Sequence, residues 1–593
     1  MDWLVLNDSY FAGWRAFVRP HGAPDSAERE TPVFKVNGNF RAIQLSAPSL
    51  EPSALITVRF KYSPLPFQLG AVASGLTLAA LLFMAVVYGY RNWPRTHSKA
   101  GSNAIQRIAK NSLVLMAFNI GGRLIDFAFA LLMARLLGPE GVGKYYFAVV
   151  IIGWFEIVMN FGLNTYLTRE ISRDTAHQGF YLRQTSLLRL ALGVGVAPLV
   201  ALVVWLYYLS GNMDTTTAIV IALLALSQLP SSFATGLSAL FFAHEKAEIP
   251  ASMSLFSALI KVAIGTVLLL LGAGVIGLAV TSILVNTIVL GVLFVLARRV
   301  FDLKLATRDS KSPASSAQTQ ILRESFPLML NHLLATLFFK VDVPLLKALQ
   351  GTRGDAVVGW YSTAYKFVDA FNIIPAFFTQ SLFPAMARQA AAPSSTYGNP
   401  LARTYTLAVK LLVIIALPVA VITTFLAGWL IGLFGAEFLP HGQIALMLMI
   451  WSIPVGWINS VTNYALIAAG QQRALTRAFI IGLVFNVVAN LIFIPSFSYQ
   501  AAALITIASE IVEGSAFYFF VRKHIAPVAW VGVLARPALA AGIMALVAYA
   551  GVALGVTLLG LVIGLAAYVI TLLITRALNA NETALLKPLL PAR

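Results

Sequence analysis

The 593-residue sequence contains no cysteine, and only 11% of it is charged. The first absence excludes disulfides, thiolate metal sites and cysteine nucleophiles, and leaves the redox compartment unread. The second excludes a soluble chain, because 59% hydrophobic residues exceed what one core can hide and the surplus must face lipid. Acidic residues are scarcer still, 24 Asp and Glu against 42 Lys and Arg, for a formal net charge of +18. No single basic face or base-stacking module accompanies that charge, so nucleic acid is not an expected partner. Nucleotide fingerprints are missing as well: "GPEGVG" follows an apolar helix rather than a strand and lacks the GKS/T ending of a phosphate loop. Catalytic residues, metals and cofactors are therefore not expected, nor is an enzyme.

What is present is a succession of apolar runs long enough to cross about 30 Å of hydrocarbon. Residues 1–66 differ from the rest, with short alternating segments such as "VFKVNGNFRAIQL" and "ALITVRFKY" between Gly, Asn and Pro, and read as a small β-rich domain. An extra transmembrane helix is expected at 67–90 and a basic cytoplasmic linker at 91–110. About fourteen further spans follow. They are six in an N-lobe at 111–299, a Ser- and Ala-rich cytoplasmic linker at 300–320, six in a C-lobe at 321–522 and two more at 532–576. Basic clusters fall on alternate loops, after Arg169, Arg298, Arg473 and Arg522, which puts those loops and the C-terminus in the cytoplasm and residues 1–66 outside. The expected fold class is thus an all-α polytopic bundle of two lobes behind a β-rich domain. A faint parallel repeat supports the division: "NSLVLMAFN" leading to "GPEGVGKYYFA" is answered by "ESFPLMLN" leading to "GTRGDAVVGWYSTA". The Gly and Pro of the first turn read as a tight hairpin that lets two spans pack closely.

Charges inside the spans form stripes, since residues three, four and seven apart share a helix face. Asn119, Arg123 and Asp126 make one; Glu156, Asn160 and Asn164 another; Thr336, Lys340 and Lys347 a third; Ser362, Lys366 and Asp369 a fourth; Thr506, Glu510 and Glu513 a fifth. A charge facing lipid costs ~2.5–3.5 kcal/mol on insertion scales, whereas stripes turned to a shared wet interior avoid most of that. The cations of that interior are Arg123, Lys261, Lys340 and Lys366. Asp126 and Asp369, three residues from Arg123 and Lys366, are expected to neutralise part of it locally. Asp342 lies two residues from Lys340, on another face, with a kinking Pro344 beside it, and is expected to serve helix packing.

"LLMARLLGPEGVGKYYFAVV" followed by "MNFGLNTYLTREISRD", and later "FFKVDVPLL", "GWYSTAYKFVDA", "FGAEFLP" and "NYALIAAGQQRALTRAFIIGLVFNVVANLIFIP", resemble bacterial polysaccharide flippases. These form the O-antigen and exopolysaccharide branch of the multidrug/oligosaccharidyl-lipid/polysaccharide exporter superfamily. The resemblance covers residues 104 to 525 and the last two spans by hydropathy alone. It implies two six-helix lobes around a cavity that opens alternately to either side of the bacterial cytoplasmic membrane. It also implies a lipid-linked oligosaccharide of the undecaprenyl pyrophosphate type as substrate, membrane lipids as surroundings and a polysaccharide polymerase or assembly proteins as possible partners. A monomer is expected. Arg123, Lys340 and Lys366 would then hold the phosphates, with Lys261 in support, and Glu156 and Glu510 are candidates for ion coupling. Separately, "LVLNDSYFAGWRAFV", "VNGNFRAIQL" and "ITVRFKYSP" resemble the C-terminal tail of YfhO-like membrane proteins over about 90 residues, without the upstream spans of that family. The alternatives are a peptidoglycan-precursor flippase, a multidrug exporter, for which an acidic or aromatic pocket is expected, and a membrane glycosyltransferase. Against the last, Glu140, Asp214, Asp355 and Glu437 sit singly in short outer loops.

Overall fold

The computed structural model describes residues 2–11, 13–20, 29–45, 55–62, 100–301, 314–391, 399–579 and 582. The expected span 67–90, residues 91–99 of the basic linker and 302–313 of the polar linker lie outside them. The chain forms two compact units, Met1–Ser98 and Lys99–Arg593.

The first unit is β-rich, as its alternating segments require. Strands β1 (Asp2–Ser9), β5 (Phe40–Leu45) and β4 (Val33–Val36) make one antiparallel sheet, and β3 (Arg29–Thr31), β2 (Trp14–Pro20) and β6 (Ile56–Tyr62) a second. The β4–β5 connection turns on Asn37 and Gly38, both at positive φ, the backbone region where Asn and Gly cost least. Buried Arg41 lays its guanidinium 3.6 Å from the Trp14 ring centroid and pairs with Asp8 at 2.8 Å.

The second unit is helical. In chain order the helices are α1 (Ala100–Asn160), α2 (Leu163–Arg173), α3 (Gln178–Leu209), α4 (Thr215–Ala243), α5 (Glu248–Leu270) and α6 (Gly274–Val300). After the polar linker come α7 (Ala314–Lys340), α8 (Asp342–Leu349), α9 (Gly354–Phe371), α10 (Ile373–Ala391), α11 (Pro400–Gly432), α12 (His441–Met449), α13 (Ser452–Ala468), α14 (Gln472–His524), α15 (Trp530–Ala553) and α16 (Thr557–Ile574). Among the described residues nine helices are long and apolar enough to cross a membrane, or eleven when each of two bent pairs is one crossing. The protein is a multi-pass membrane protein.

Two of the nine, Ile120–Arg173 and Gln472–His524, run 54 and 53 residues. At 1.5 Å per residue each spans about 80 Å, more than twice the hydrocarbon thickness. Both are broken midway, at Gly138 (φ 66°, ψ −178°) and Ser498 (φ 52°, ψ −137°), so each supplies two crossings. Gly138 tolerates the left-handed φ, and Pro139 opens the next helix where its missing N–H costs nothing. The span expected at 356–386 is α9 and α10 meeting at Asn372. Helices α7 and α8 meet at 46° around Val341, where Pro344 cannot donate to the carbonyl of Lys340.

Apolar side chains divide between two surfaces. One set packs helix against helix: Leu237 and Phe241 of α4 meet Leu293 and Ala297 of α6, and Ala540, Met544 and Tyr568 dock α15 and α16 on Val421 of α11. The other set stays exposed, as Leu546, Leu558, Val562 and Leu573 do, on the faces that a bilayer solvates.

Candidate functional site

The α1 and α9 helices meet at the turns that the sequence repeat marks. A Cβ built on Gly143 would lie 1.8 Å from the Asp355 carbonyl oxygen, and one on Gly359 2.0 Å from that of Pro139. The part of α1 just past the Gly138 break and the start of α9 therefore interlock backbone to backbone, each glycine facing a carbonyl of the other helix. Around this contact Arg135 donates to the Leu433 carbonyl at 2.9 Å and Tyr207 to that of Pro344 at 2.9 Å. Lys144 pairs with Asp214 at 2.7 Å. Burial alone would push the Asp214 carboxyl up, but hydrogen bonds from Lys144 and Thr217 outweigh it and hold the group at about 2.

Below the interlock a cleft with about 420 Å³ of atom-free space, part of it open to solvent, is lined by Ala134, Tyr145, Tyr146, Ser362, Thr363 and Lys366 among others. Lys366 reaches into it with the Tyr146 ring 5.6 Å away. Lys340 comes to the same tyrosine from α7. Its ammonium donates to the Tyr146 hydroxyl at 3.1 Å, pairs with Asp369 at 3.2 Å and lies 3.5 Å from the Tyr365 ring centroid. Lys261 of α5 pairs with Asp126 of α1 at 2.5 Å, and Lys366 is near enough to feel both charges. Phe127, beside Asp126, packs on Phe367 and Phe434, which carries this pair to the wall of the cleft.

The direct ion pairs differ from the same-face spacing. Asp126 pairs with Lys261 and Asp369 with Lys340, each a lysine of another helix, while Asp369 still acts on Lys366 through its charge. A partner one turn away on the same helix competes poorly with one that a neighbouring helix holds in place, and the bend at Val341 swings Lys340 toward Asp369. Arg123 is exposed on α1, and among the described residues no ion pair reaches it. The side chain of Asn119 lies outside the described set. Lys340 faces Tyr146, Tyr365 and Asp369 and does not line the cleft, so Lys366 is the cation presented there.

Other stripes are turned to partners on neighbouring helices. Asn160 and Asn164 accept from Arg189 at 2.8 and 2.5 Å, with Ser232 completing the shell; Arg189 is 1% exposed. Glu156 is half-buried on the same helix. Arg189 was not legible as an interior charge, because its partners lie on other helices. Lys347 leaves the Lys340 stripe at the Val341 break and is sealed against Asp355. Asp342 is buried and bonds the Tyr361 hydroxyl, the packing role expected of it. Glu510 and Glu513 are buried inside the second half of α14, and Lys410 is buried against Glu582.

At the opposite end of the bundle α2 and α7 meet. The chain turns between α1 and α2 at Phe161 and Gly162, both at positive φ, and Gly162 sits against the Ser325 carbonyl. Arg169 pairs with Glu324 here. The pair is partly exposed, so it contributes at most about 1 kcal/mol, a factor of about five in an equilibrium. A single cysteine replacing buried Ser325 in this cysteine-free chain should be alkylated up to about fivefold faster when Glu324→Gln is added; an unchanged rate would show that the pair does not hold this end shut.

Comparison with known proteins bears on this architecture. A family model described as "Polysaccharide biosynthesis protein" matches residues 108–389, and the MatE model matches 327–492. The fold aligns with "Lipid II flippase MurJ, inward closed conformation" at a TM-score of 0.59 and 16% identity, covering 78% of this chain and 99% of that one. By these two family models and by its fold, the chain is similar to members of the multidrug/oligosaccharidyl-lipid/polysaccharide exporter superfamily. An inward-facing multidrug resistance MATE transporter of the same superfamily aligns at a TM-score of 0.55 and 16% identity, covering 68% of this chain and 94% of that one. No curated protein matches significantly. Within the superfamily fold, the interlocked glycine turns and the Lys366 cleft lie where the first, second and eighth crossings meet.

Proposed function

We propose that the protein is a flippase that moves polyprenyl-pyrophosphate-linked oligosaccharide units across the cytoplasmic membrane for cell-surface polysaccharide synthesis, by alternating access. The lobes are 111–299 and 321–522, joined through 300–320 and followed by 532–576. Their basic loops lie in the cytoplasm, and residues 1–66 lie outside. The observation that carries the reading is Lys366, a cation presented to a cleft between helices of both lobes, with Ser362, Thr363, Tyr145 and Tyr146 beside it. The Ser362 and Thr363 hydroxyls donate to the Gly359 and Trp360 carbonyls of their own helix, so the ammonium is the donor left for a phosphate oxygen, and the tyrosine rings offer faces to a pyranose. Lys340 and Lys261, each paired with one carboxylate, keep the surroundings from turning anionic, and exposed Arg123 adds a further positive charge. Undecaprenyl pyrophosphate is the natural anchor for such a unit, its chain remaining in lipid while the head crosses.

A multidrug exporter for cationic compounds fits the Lys366 cleft poorly, because the presented charge has the wrong sign. A lipid II flippase would use the same phosphate chemistry, and the assay must separate the two. In a strain lacking its own polysaccharide flippase and complemented with this chain, Lys366→Ala should lower export about ten- to hundredfold, the value of a charged hydrogen bond of ~1.5–3 kcal/mol. Lys366→Arg should retain most of it. Arg123→Gln with Lys340→Gln should also impair export. Unchanged export in all variants would remove the phosphate assignment. Rescue of a lipid II flippase deficiency, with no polysaccharide export, would transfer the substrate to peptidoglycan precursor.

A further inference from the structure

Inside the second half of α14 lie two carboxylic side chains without a cation. Glu510 and Glu513 are 4% and 1% exposed, and Asn459 of α13 beside them is 5% exposed. Asn459 donates through Nδ2 to the Glu510 backbone oxygen at 2.8 Å and to its Oε2 at 2.7 Å. Glu513 has no such donor: its Oε1 is buried without a hydrogen-bond partner, as is the Ser509 hydroxyl one residue before Glu510. Glycines make room for the group. A Cβ on Gly456 would lie 3.2 Å from Glu510 Oε1, one on Gly482 3.2 Å from the Glu513 Cβ, and one on Gly514 2.7 Å from Asn459 Oδ1.

Among the described residues, neighbouring helices bring no compensating charge. Lys340 of α7 is committed to Asp369. Tyr361 of α9 meets Thr506, one turn earlier on α14, and bonds Asp342 of α8. Lys347 of α8 is paired with Asp355. His441 of α12 bonds Tyr499 at the start of this half-helix. Two carboxylates three residues apart are neighbours on one helix face, and in a dry interior neither desolvation nor mutual repulsion is relieved unless a proton is bound.

We infer that Glu510 and Glu513 form a proton-binding site within the C-lobe, in which Glu513 is the neutral acid and Glu510 the carboxylate that Asn459 holds. A metal cation fits less well, because Asn459 turns its N–H, and not its carbonyl, toward Glu510. Protonation is then tied to packing. Glu513 can give up its proton only when this half-helix parts from α13 and from the first half of α14 enough to admit water, since the close contacts at Gly456, Gly482 and Gly514 leave little of the space a hydrated carboxylate needs. The site lies apart from the Lys366 cleft, and it rests on the transport reading only for its use, as the place where a proton gradient acts on the C-lobe.

The test is infrared spectroscopy of the full-length protein in lipid nanodiscs. At neutral pH and without substrate, the wild type should show carboxylic-acid C=O absorbance that is missing from the difference spectrum of Glu513→Gln but retained in Glu156→Gln. Asn459→Leu, which removes the donor that stabilises charge on Glu510, should add a second carboxylic-acid component. A Glu513→Gln spectrum identical to wild type would overturn the inference, as would loss of the absorbance on adding sodium. Because no cargo is present, a positive result stands even if the substrate is not an oligosaccharide, and a failed export assay with this signal intact would count against the substrate alone.

Discussion

Gly359→Ala should abolish transport, and Gly143→Ala should do the same, by preventing the lobes from closing at the Gly138 end. A methyl on either glycine would have to occupy the position of a carbonyl group, at 2.0 Å from Pro139 O or 1.8 Å from Asp355 O. Real Cβ atoms do not approach that closely, and the neighbour is helix backbone with no side chain to swing aside. Overpacking a close-packed core ordinarily costs about 1–3 kcal/mol. Here the strain falls only on the conformation in which the turns interlock, so the same figure moves the open–closed equilibrium by about five- to more than hundredfold toward open. The variants should still fold, because helix α9 gains propensity from Gly→Ala. The check is distance measurement between spin labels on α1 and α9, together with export. A closed-state distance in Gly359→Ala, with export intact, would show that the contact is not part of the cycle.

The interlock also shows how far the sequence could be read. The repeated turns "GPEGVGKYYFA" and "GTRGDAVVGWYSTA" were visible as Gly-rich hairpins followed by paired aromatics, and close packing was the expectation for the first of them. What the letters could not tell was that the two turns meet each other, since nothing in the local pattern of either carries the distance between them. The many apolar helices were legible because lipid demands long apolar runs, and the β-rich character of residues 1–66 because its segments alternate; the turn at Asn37 and Gly38 lay inside one of those segments and was not read from it. Charges inside the spans were legible as residues to be explained and much less so as pairs. Helical spacing suggested Arg123 with Asp126 and Lys366 with Asp369, yet the carboxylates reach Lys261 and Lys340 across helix boundaries. Arg189 and Lys347 show the same limit. Each is a buried cation whose partners are fixed by tertiary packing, and the break at Val341 rotates Lys347 out of the stripe to which its spacing assigned it.

Lys347 supplies the second large effect. It is 1% exposed, its ammonium is paired with Asp355, and the Phe147 ring lies 5.8 Å away. The same Asp355 offers its backbone carbonyl to Gly143, so one residue joins the ion pair to the interlock. Lys347→Met leaves a carboxylate largely out of water with its nearest partner gone, and Asp355→Asn leaves a buried ammonium. Removing one member of a buried pair costs about 3–5 kcal/mol, whereas replacing both is often close to neutral. Each single variant should therefore show reduced folded yield and a clearly lower apparent melting temperature in detergent, while Lys347→Met with Asp355→Asn should recover most of the loss. Lys144 also stands within Coulombic range of Asp355, but it is paired with Asp214, which acts on Asp355 with the opposite sign, so neither single variant is rescued by a neighbour and both should lose. Wild-type stability in either single variant, or no recovery in the double, would mean that the pair does not hold α8 to α9.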